Sequence, residues 1–318
     1  MNTNGWRTLA GLTMAWLGLA LGLARAAQAG DWLTVATYNV QNYTLSDRRL
    51  PDGGFRPDYP KPEAEKKALR AVIRSLGADI IALQEVGGAP FLSELRRDLA
   101  AEGVAYPFGD AALGADETRG LAILSRVPLG RVTLHRDLKA RRHGAEDEAA
   151  VRRGLLEVEV PAPGGAITIF VVHLKSRLTD DKQDPGAEDL RVAEAQAVRD
   201  RVLEIFPDPA AARFLIIGDC NDTPGSRTLK ALQARGKTAI ATWLDAVDER
   251  GQRWTHAYAQ IGVYSRFDQV LVAEGLRRGD ARNVSARVAG EPWAELAAAS
   301  DHRPLVVRLR TQPDASQP

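Results

Sequence analysis

Short apolar runs end, one after another, in a polar or ionisable residue, and this pattern limits the fold more than any other feature of the chain. Leu33 to Val40 alternates apolar and polar side chains as a strand does, and Asn39 stands at its end. Asp79 to Val86 contains a buried-type run that reaches Glu85. Leu121 to Leu124, Leu155 to Val160, Ile167 to Leu174 and Phe214 to Ile217 follow, the last two ending at His173 and leading into Asp219 and Asn221. Phe267 to Val272 and Pro304 to Leu309 are the late strands, and Asp301 and His302 precede the last. Loops at strand ends on a rigid sheet are where sites are usually built.

Between the strands lie segments of helical period. Glu63 to Leu76 places Ala64, Leu69, Val72, Ile73 and Leu76 on one face, with Gly77 as its stop. Phe91 to Ala101, Leu190 to Ile205 and Thr228 to Arg235 read as further helices. Residues 50–62, 136–150 and 179–189 read as loops, and Pro161 to Gly165 suggests a hairpin turn. Some strands thus alternate with helices and others form hairpins. That order suits two mixed sheets packed together with helices outside, in one domain over residues 30–310.

The ends of the chain read differently. Arg7, an apolar run from Leu9 to Leu23 and the small-x-small pattern Ala27-Gln28-Ala29 form a secretory signal. The run falls short of the ~20 residues that span a bilayer. Residues 1–29 are therefore expected to be removed, the protein exported to the periplasm or beyond, with no stable membrane insertion afterwards. Residues 311–318 read as a flexible tail. The full chain carries 42 Lys+Arg against 41 Asp+Glu, and loss of Arg7 and Arg25 with the signal leaves a net charge near −1. That is not the strongly basic balance common among duplex-binding proteins. Cys220 is the single cysteine, so no intramolecular disulfide supports the fold.

Carboxylates, amides and histidines gathered at strand ends suit a hard cation and a phosphate. Mg²⁺ takes oxygen ligands and keeps waters and phosphate oxygens in its shell. A carboxylate can orient or deprotonate water, and a histidine held by an acid can stabilise phosphoryl charge or donate a proton. No Cys/His spacing suggests structural zinc, and no P-loop, GxSxG or HExxH pattern is present.

Seven segments occur in a meaningful order: Thr37-Tyr38-Asn39-Val40-Gln41, Leu83-Gln84-Glu85-Val86, Ala122 to Arg126, His173-Leu174-Lys175-Ser176, Gly218-Asp219-Cys220-Asn221-Asp222, Ser265 to Leu271 and Ser300-Asp301-His302-Arg303-Pro304. Together they resemble the endonuclease/exonuclease/phosphatase superfamily, over about residues 33–309. The resemblance implies an α/β fold, a four-layered sandwich of two packed mixed β-sheets flanked by helices. It implies a phosphoester hydrolase dependent on Mg²⁺, with Mn²⁺ or Ca²⁺ as alternatives. Glu85 would be the main metal ligand, with Asn39 beside it on metal or phosphate and Asp301 near the metal. Asp219 would orient or deprotonate the water and Asn221 would position it. His302 would stabilise the transition state, held by Asp268. His173 would face the scissile phosphate, and Lys175 would add a cation.

The sequence departs from the family pattern at Gln41, where an acid is common in apurinic endonucleases, at Cys220, expected to point into the core, and at Gln269 in place of a common Tyr. His135, His143 and His256 lack such context and read as surface or structural. Arg119 and Arg153 are candidates for substrate contact and the pairs Arg141-Arg142 and Arg152-Arg153 for a basic patch, but they read rather as solvated or ion-paired residues; Trp254, Tyr258 and Tyr264 are candidates for an exposed aromatic hairpin but fit strand packing better. The leading expectation is a nuclease acting on nucleic acid by in-line water attack. The alternative is a phosphatase or phosphodiesterase for an inositol phosphate or a sphingomyelin-like head group. A catalytically idle member is disfavoured because no core site residue is lost, and no protein partner is implied.

Overall fold

In a computed structural model of the protein, residues 31–49, 53–277 and 283–312 are described. The expected signal segment therefore lies outside the described residues. Twelve strands make the two large sheets. In chain order they are β1 (Trp32–Tyr43), β2 (Ile80–Val86), β3 (Phe108–Ala112), β4 (Gly120–Ser125), β5 (Val132–His135), β6 (Leu155–Val160), β7 (Ile167–His173), β8 (Phe214–Asp219), β9 (Thr242–Trp243), β10 (Asp268–Val272), β11 (Val284–Val288) and β12 (Leu305–Arg310). One sheet runs β11-β12-β1-β2-β4-β3 and the other β9-β10-β8-β7-β6-β5. The central pairs β1–β2 and β7–β8 are parallel, and the other pairs are antiparallel. Both sheets are mixed.

Side-chain alternation divides the core into layers. Leu33, Val35, Ile80, Ala82, Ile169, Val171, Leu215 and Ile217 face inward and pack sheet on sheet. Ala36, Ile81, Leu83 and Leu124 face outward beneath the helices α1 (Glu63–Leu76) and α2 (Ala89–Ala101). On the other sheet Phe170, Val172, Phe214 and Ile216 face α3 (Glu188–Ile205) and α4 (Arg227–Gln233). The expected four layers are thus present. The helix expected over 63–76 has those bounds, with Leu69, Val72, Ile73 and Leu76 buried and Gly77 in the left-handed conformation that ends it. Each such side chain contributes about 1.5–3 kcal/mol on burial, and burial rather than covalent linkage holds the fold, since Cys220 is a buried free thiol.

Four expectations need correction. The loop 50–62 is in part a strand, because Phe55–Tyr59 pairs with Ser46–Arg49. The tail starts later than residue 311, because Thr311 is fully buried and donates its N–H to the Asp31 carbonyl; residues 313–318 lie outside the described residues. The segment 256–265 is an exposed hairpin, His256–Tyr258 against Val263–Ser265, with Tyr258, Ile261 and Tyr264 open to solvent. Trp254, just before the hairpin, packs against Tyr264, Trp293 and Arg303, while Tyr264 itself stays largely exposed. His256, finally, belongs to the site described next.

Candidate active site

Sheet register places the site residues before any side chain is considered. His173 on β7 is the ladder partner of Asp219 on β8, and Asp219 is in turn the partner of Asp268 on β10. In the other sheet Asn39 on β1 pairs with Gln84 on β2, and the ladder slips between Gln84 and Val86, so that Glu85 occupies a bulge. Bulges re-aim a side chain next to active sites. The strand ends of both sheets therefore converge.

Backbone strain marks the same place. Six described non-glycine residues have positive φ, and four of them, Gln41, Asn42, Glu85 and Asn221, are at these strand ends. Such conformations cost about 1–3 kcal/mol each and persist only where the surroundings impose them. Gly218 is a case of close approach: at φ +139° a Cβ there would lie 2.0 Å from the Val172 carbonyl oxygen. Only glycine lets β8 come close enough to β7 to bring Asp219 beside His173.

The side chains form one connected network. The Asn39 amide donates to Glu85 Oε1 at 3.2 Å and to Asp219 Oδ2 at 3.0 Å. The Asn42 backbone N–H donates to Glu85 Oε2 at 2.8 Å. Asn221 donates its backbone N–H to Asp219 Oδ1 at 2.8 Å and its amide to the Leu174 carbonyl at 3.0 Å. His173 Nε2 lies 3.5 Å from Asp219 Oδ2 and 3.9 Å from Glu85 Oε1. His302 Nε2 lies 3.8 Å from Asp219 Oδ2, while its Nδ1 is 2.7 Å from Asp268 Oδ2. The Thr255 hydroxyl accepts the N–H groups of Phe267 and Asp268, and the Ser300 hydroxyl ties the Asn39 carbonyl to the His302 backbone. Asp301 N–H donates to Gln41 Oε1 at 3.2 Å. Gln41, which stands where an acid was the family expectation, thus holds the Asp301 backbone.

Charge in this dry setting is set by neighbours. Burial raises the Asp219 pKa, the Asp268 carboxylate raises it further, and His302 and the hydrogen bonds oppose them, leaving it at about 7. Burial works against the His302 cation, but the carboxylates of Asp268 and Asp219 outweigh it and lift the pKa to about 10. Burial holds His173 well below its ordinary range, and Arg153, His302, Arg119 and Arg152 push the same way. One histidine is therefore a cation and the other neutral.

Donor chemistry fits a hard cation. Glu85 and Asp301 keep carboxylate oxygens open to the cleft, and two carboxylates as near as Glu85 and Asp219 to one amide favour a positive charge between them. Among the described residues, one His/Cys/Asp/Glu group has its ligand atoms close enough to hold a metal, all within 4.8 Å: His256, Asp301 and His302. His256 stacks on Phe267 and lies 4.7 Å, centroid to centroid, from the His302 ring, with its backbone bridged to that of His302. Sequence reading missed it because no motif surrounds it; only its pairing with His302 brings it in.

A cleft of about 660 Å³ opens above the network. Cations line it: Arg119, Arg152, Arg153, Lys175 and Arg177. Lys175 is there as expected, but its ammonium is turned to the Ser176 and Leu178 carbonyls rather than free. Cys220 is buried in the outer core and Gln269 bonds Trp243, Asp222 and Arg266, so both are structural.

Residues 36–302 match the model of the Endonuclease/Exonuclease/phosphatase family, and the chain belongs to that family. It is a metal-dependent phosphoester hydrolase. Solved structures of the same fold include the human Nocturnin catalytic domain with bound sulfate, at 16% identity and a TM-score of 0.59, covering 87% of this chain and 94% of that one. Sphingomyelinase C from Streptomyces griseocarneus is 16% identical with a TM-score of 0.58, covering 88% and 100%. A beta toxin mutant from Staphylococcus aureus with bound magnesium ions is 14% identical with a TM-score of 0.57, covering 87% and 99%. No curated protein matches the chain.

Proposed function

We propose that this protein is an exported nuclease that hydrolyses phosphodiester bonds by in-line attack of water. The carrying observation is a buried Asp219, with a pKa of about 7, set between a neutral His173 and a cationic His302 in a cleft lined by cations. Asp219 accepts the proton of the attacking water, and a base whose pKa lies near the working pH is the efficient one. Asn221 holds the Asp219 carboxylate from its backbone N–H, and Asn39 from its amide. His302, kept charged and oriented by Asp268, donates a hydrogen bond to a phosphoryl oxygen as charge builds there. His173 donates a second. The water oxygen bonds to phosphorus and the leaving oxygen departs with the electron pair. Glu85, Asn39 and Asp301 would hold the divalent ion, Mg²⁺ in this reading, which when bound would supply positive charge against the charge that builds in the transition state. Export rests on the N-terminal segment; no helix among the described residues is long and apolar enough to cross a membrane.

A second reading has its own observation. Leu178, Tyr258 and Val263 line the cleft and are solvent-exposed, and Ile261 stands exposed on the hairpin of Tyr258 and Val263, as contact with a lipid surface would require. The two readings separate in one panel. Purified protein with Mg²⁺ is given plasmid DNA, RNA, sphingomyelin vesicles and an inositol phosphate. Hydrolysis of a nucleic acid is expected. Turnover of vesicles or phosphomonoester alone would reject the nuclease and keep the same site.

A further inference from the structure

The proposed reaction has no use for Arg153, yet this is the most unusual cation in the molecule. Its side chain is only 7% exposed. Its Nε and Nη1 have no hydrogen-bond partner. Only Nη2 has a counter-charge, Asp116 Oδ2 at 3.4 Å. A guanidinium carries five N–H donors, and leaving them unmade in a buried place is costly. It nevertheless lines the cleft beside Glu85 and His173.

The surroundings of Arg153 are built to hold it there. Asp116 is buried, and its Oδ1 accepts from the Thr118 N–H, the Thr118 hydroxyl and the Arg119 N–H. Its Oδ2 also faces Arg152 Nε at 3.3 Å. The Asp116 N–H donates to the Arg152 carbonyl at 2.9 Å. At Gly114 a Cβ would meet the Arg152 oxygen at 2.7 Å and Arg153 Cα at 2.9 Å, so the loop lies directly on the arginine pair. Arg119 Nε in turn bonds Asn42 Oδ1 at 2.6 Å, and the Asn42 N–H bonds Glu85. One carboxylate thus organises three arginines and ties them to the Glu85 end of the site.

We infer that Arg153, with Arg152 and Arg119, forms a second anion subsite that takes a phosphate neighbouring the scissile one, and that Asp116 is its positioning residue. The guanidinium fork matches phosphate oxygens, and on the cleft side of Arg153 a phosphate would add a second anionic partner to Asp116. The inference rests on the nuclease reading and narrows its substrate: the preferred chain carries at least one phosphate beside the bond that is cut. A substrate with a single phosphate would leave Arg153 with Asp116 as its one counter-charge.

The test compares the thymidine dinucleotide TpT with the same dinucleotide carrying a terminal phosphate at its 5′ end or its 3′ end, in Mg²⁺. One phosphorylated form is expected to exceed TpT in kcat/KM by roughly tenfold or more, the value of one charge-assisted hydrogen bond. Arg153→Met should bring that ratio to within about twofold, Arg153→Lys should keep part of it, and Asp116→Asn should lower it. A loss of fold lowers all three rates together and leaves the ratio alone. Equal rates for the three substrates in the unaltered protein, or a ratio unmoved by Arg153→Met, would overturn the subsite while the nuclease stands. If none of the three is cut while plasmid DNA is, binding of the same ligands by calorimetry decides the subsite; if plasmid DNA is not cut either, the nuclease reading fails and the same binding measurement still decides the subsite. Tighter binding of a phosphorylated form, abolished by Arg153→Met, supports it; equal binding rejects it.

Discussion

Asn39 holds two carboxylates with one amide, Glu85 on one side and Asp219 on the other. Replacing it by Ala removes both hydrogen bonds and leaves the acids facing each other. Mg²⁺ affinity and turnover are expected to fall by about 10–100-fold, the usual effect of losing an orienting partner of a metal ligand, read by Mg²⁺ titration of the rate. The histidines give a pH signature. Asp219 must be ionised to accept a proton, so kcat/KM should rise through about pH 7, and His302 must keep its proton, so it should fall again toward about pH 10. Asp268 is the largest influence raising His302. Asp268→Asn should therefore move the alkaline limb down and leave the acid limb in place or lower it, since Asp268 also raises Asp219. A profile with an unmoved alkaline limb would remove His302 from the account. At this scale Asp219, His302, Glu85 and Asn39 were legible because each sits in an ordered motif. His256 was not, and Arg153 reads in the sequence as solvated or ion-paired rather than as a substrate contact. Their importance comes from a bridge to His302 and from a loop packed on Gly114, neither of which has a local sequence mark.

Strands carry the site because register is unforgiving. A one-residue slip turns every side chain to the other face, and the rung His173–Asp219–Asp268 crosses three strands. Gly218 makes the rung possible. Gly218→Ala is expected to cost roughly 3 kcal/mol or more, combining a steric clash with a strained φ, measured as the shift of the urea midpoint. A midpoint shift under about 1 kcal/mol would mean that β7 and β8 part without penalty. The central strands were readable from alternation and length. The edge strands β3 and β11 were not, because Phe108–Ala112 carries little apolar pattern and Val284–Val288, though it alternates, is only five residues long, and both are defined by the neighbour they pair with. The hairpin 256–265 was misread for the same reason. Its aromatics suit a buried strand, yet nothing packs on Ile261 or Tyr264 enough to cover them.

At the scale of the molecule, two sheets with three apolar clusters hold the described residues without a disulfide. EDTA should therefore abolish activity and leave a folded protein by circular dichroism. Mg²⁺ should raise Tm, because a ligand that binds only the native state stabilises it, and Glu85→Gln should cancel that rise. Reducing agent should leave Tm unchanged, since Cys220 is already a free thiol. The sheet order explains why one cleft serves both halves: the parallel pairs β1–β2 and β7–β8 bring Asn39 and Glu85 from one sheet to His173 and Asp219 from the other.

The most direct test of this assembly is the rate of plasmid nicking by residues 30–318 in Mg²⁺, in EDTA and with His302→Ala. Nicking that needs Mg²⁺ and falls by about 10²–10⁴ in the folded variant is the predicted result. Nicking that survives EDTA, or that His302→Ala leaves at the unaltered rate, would contradict it.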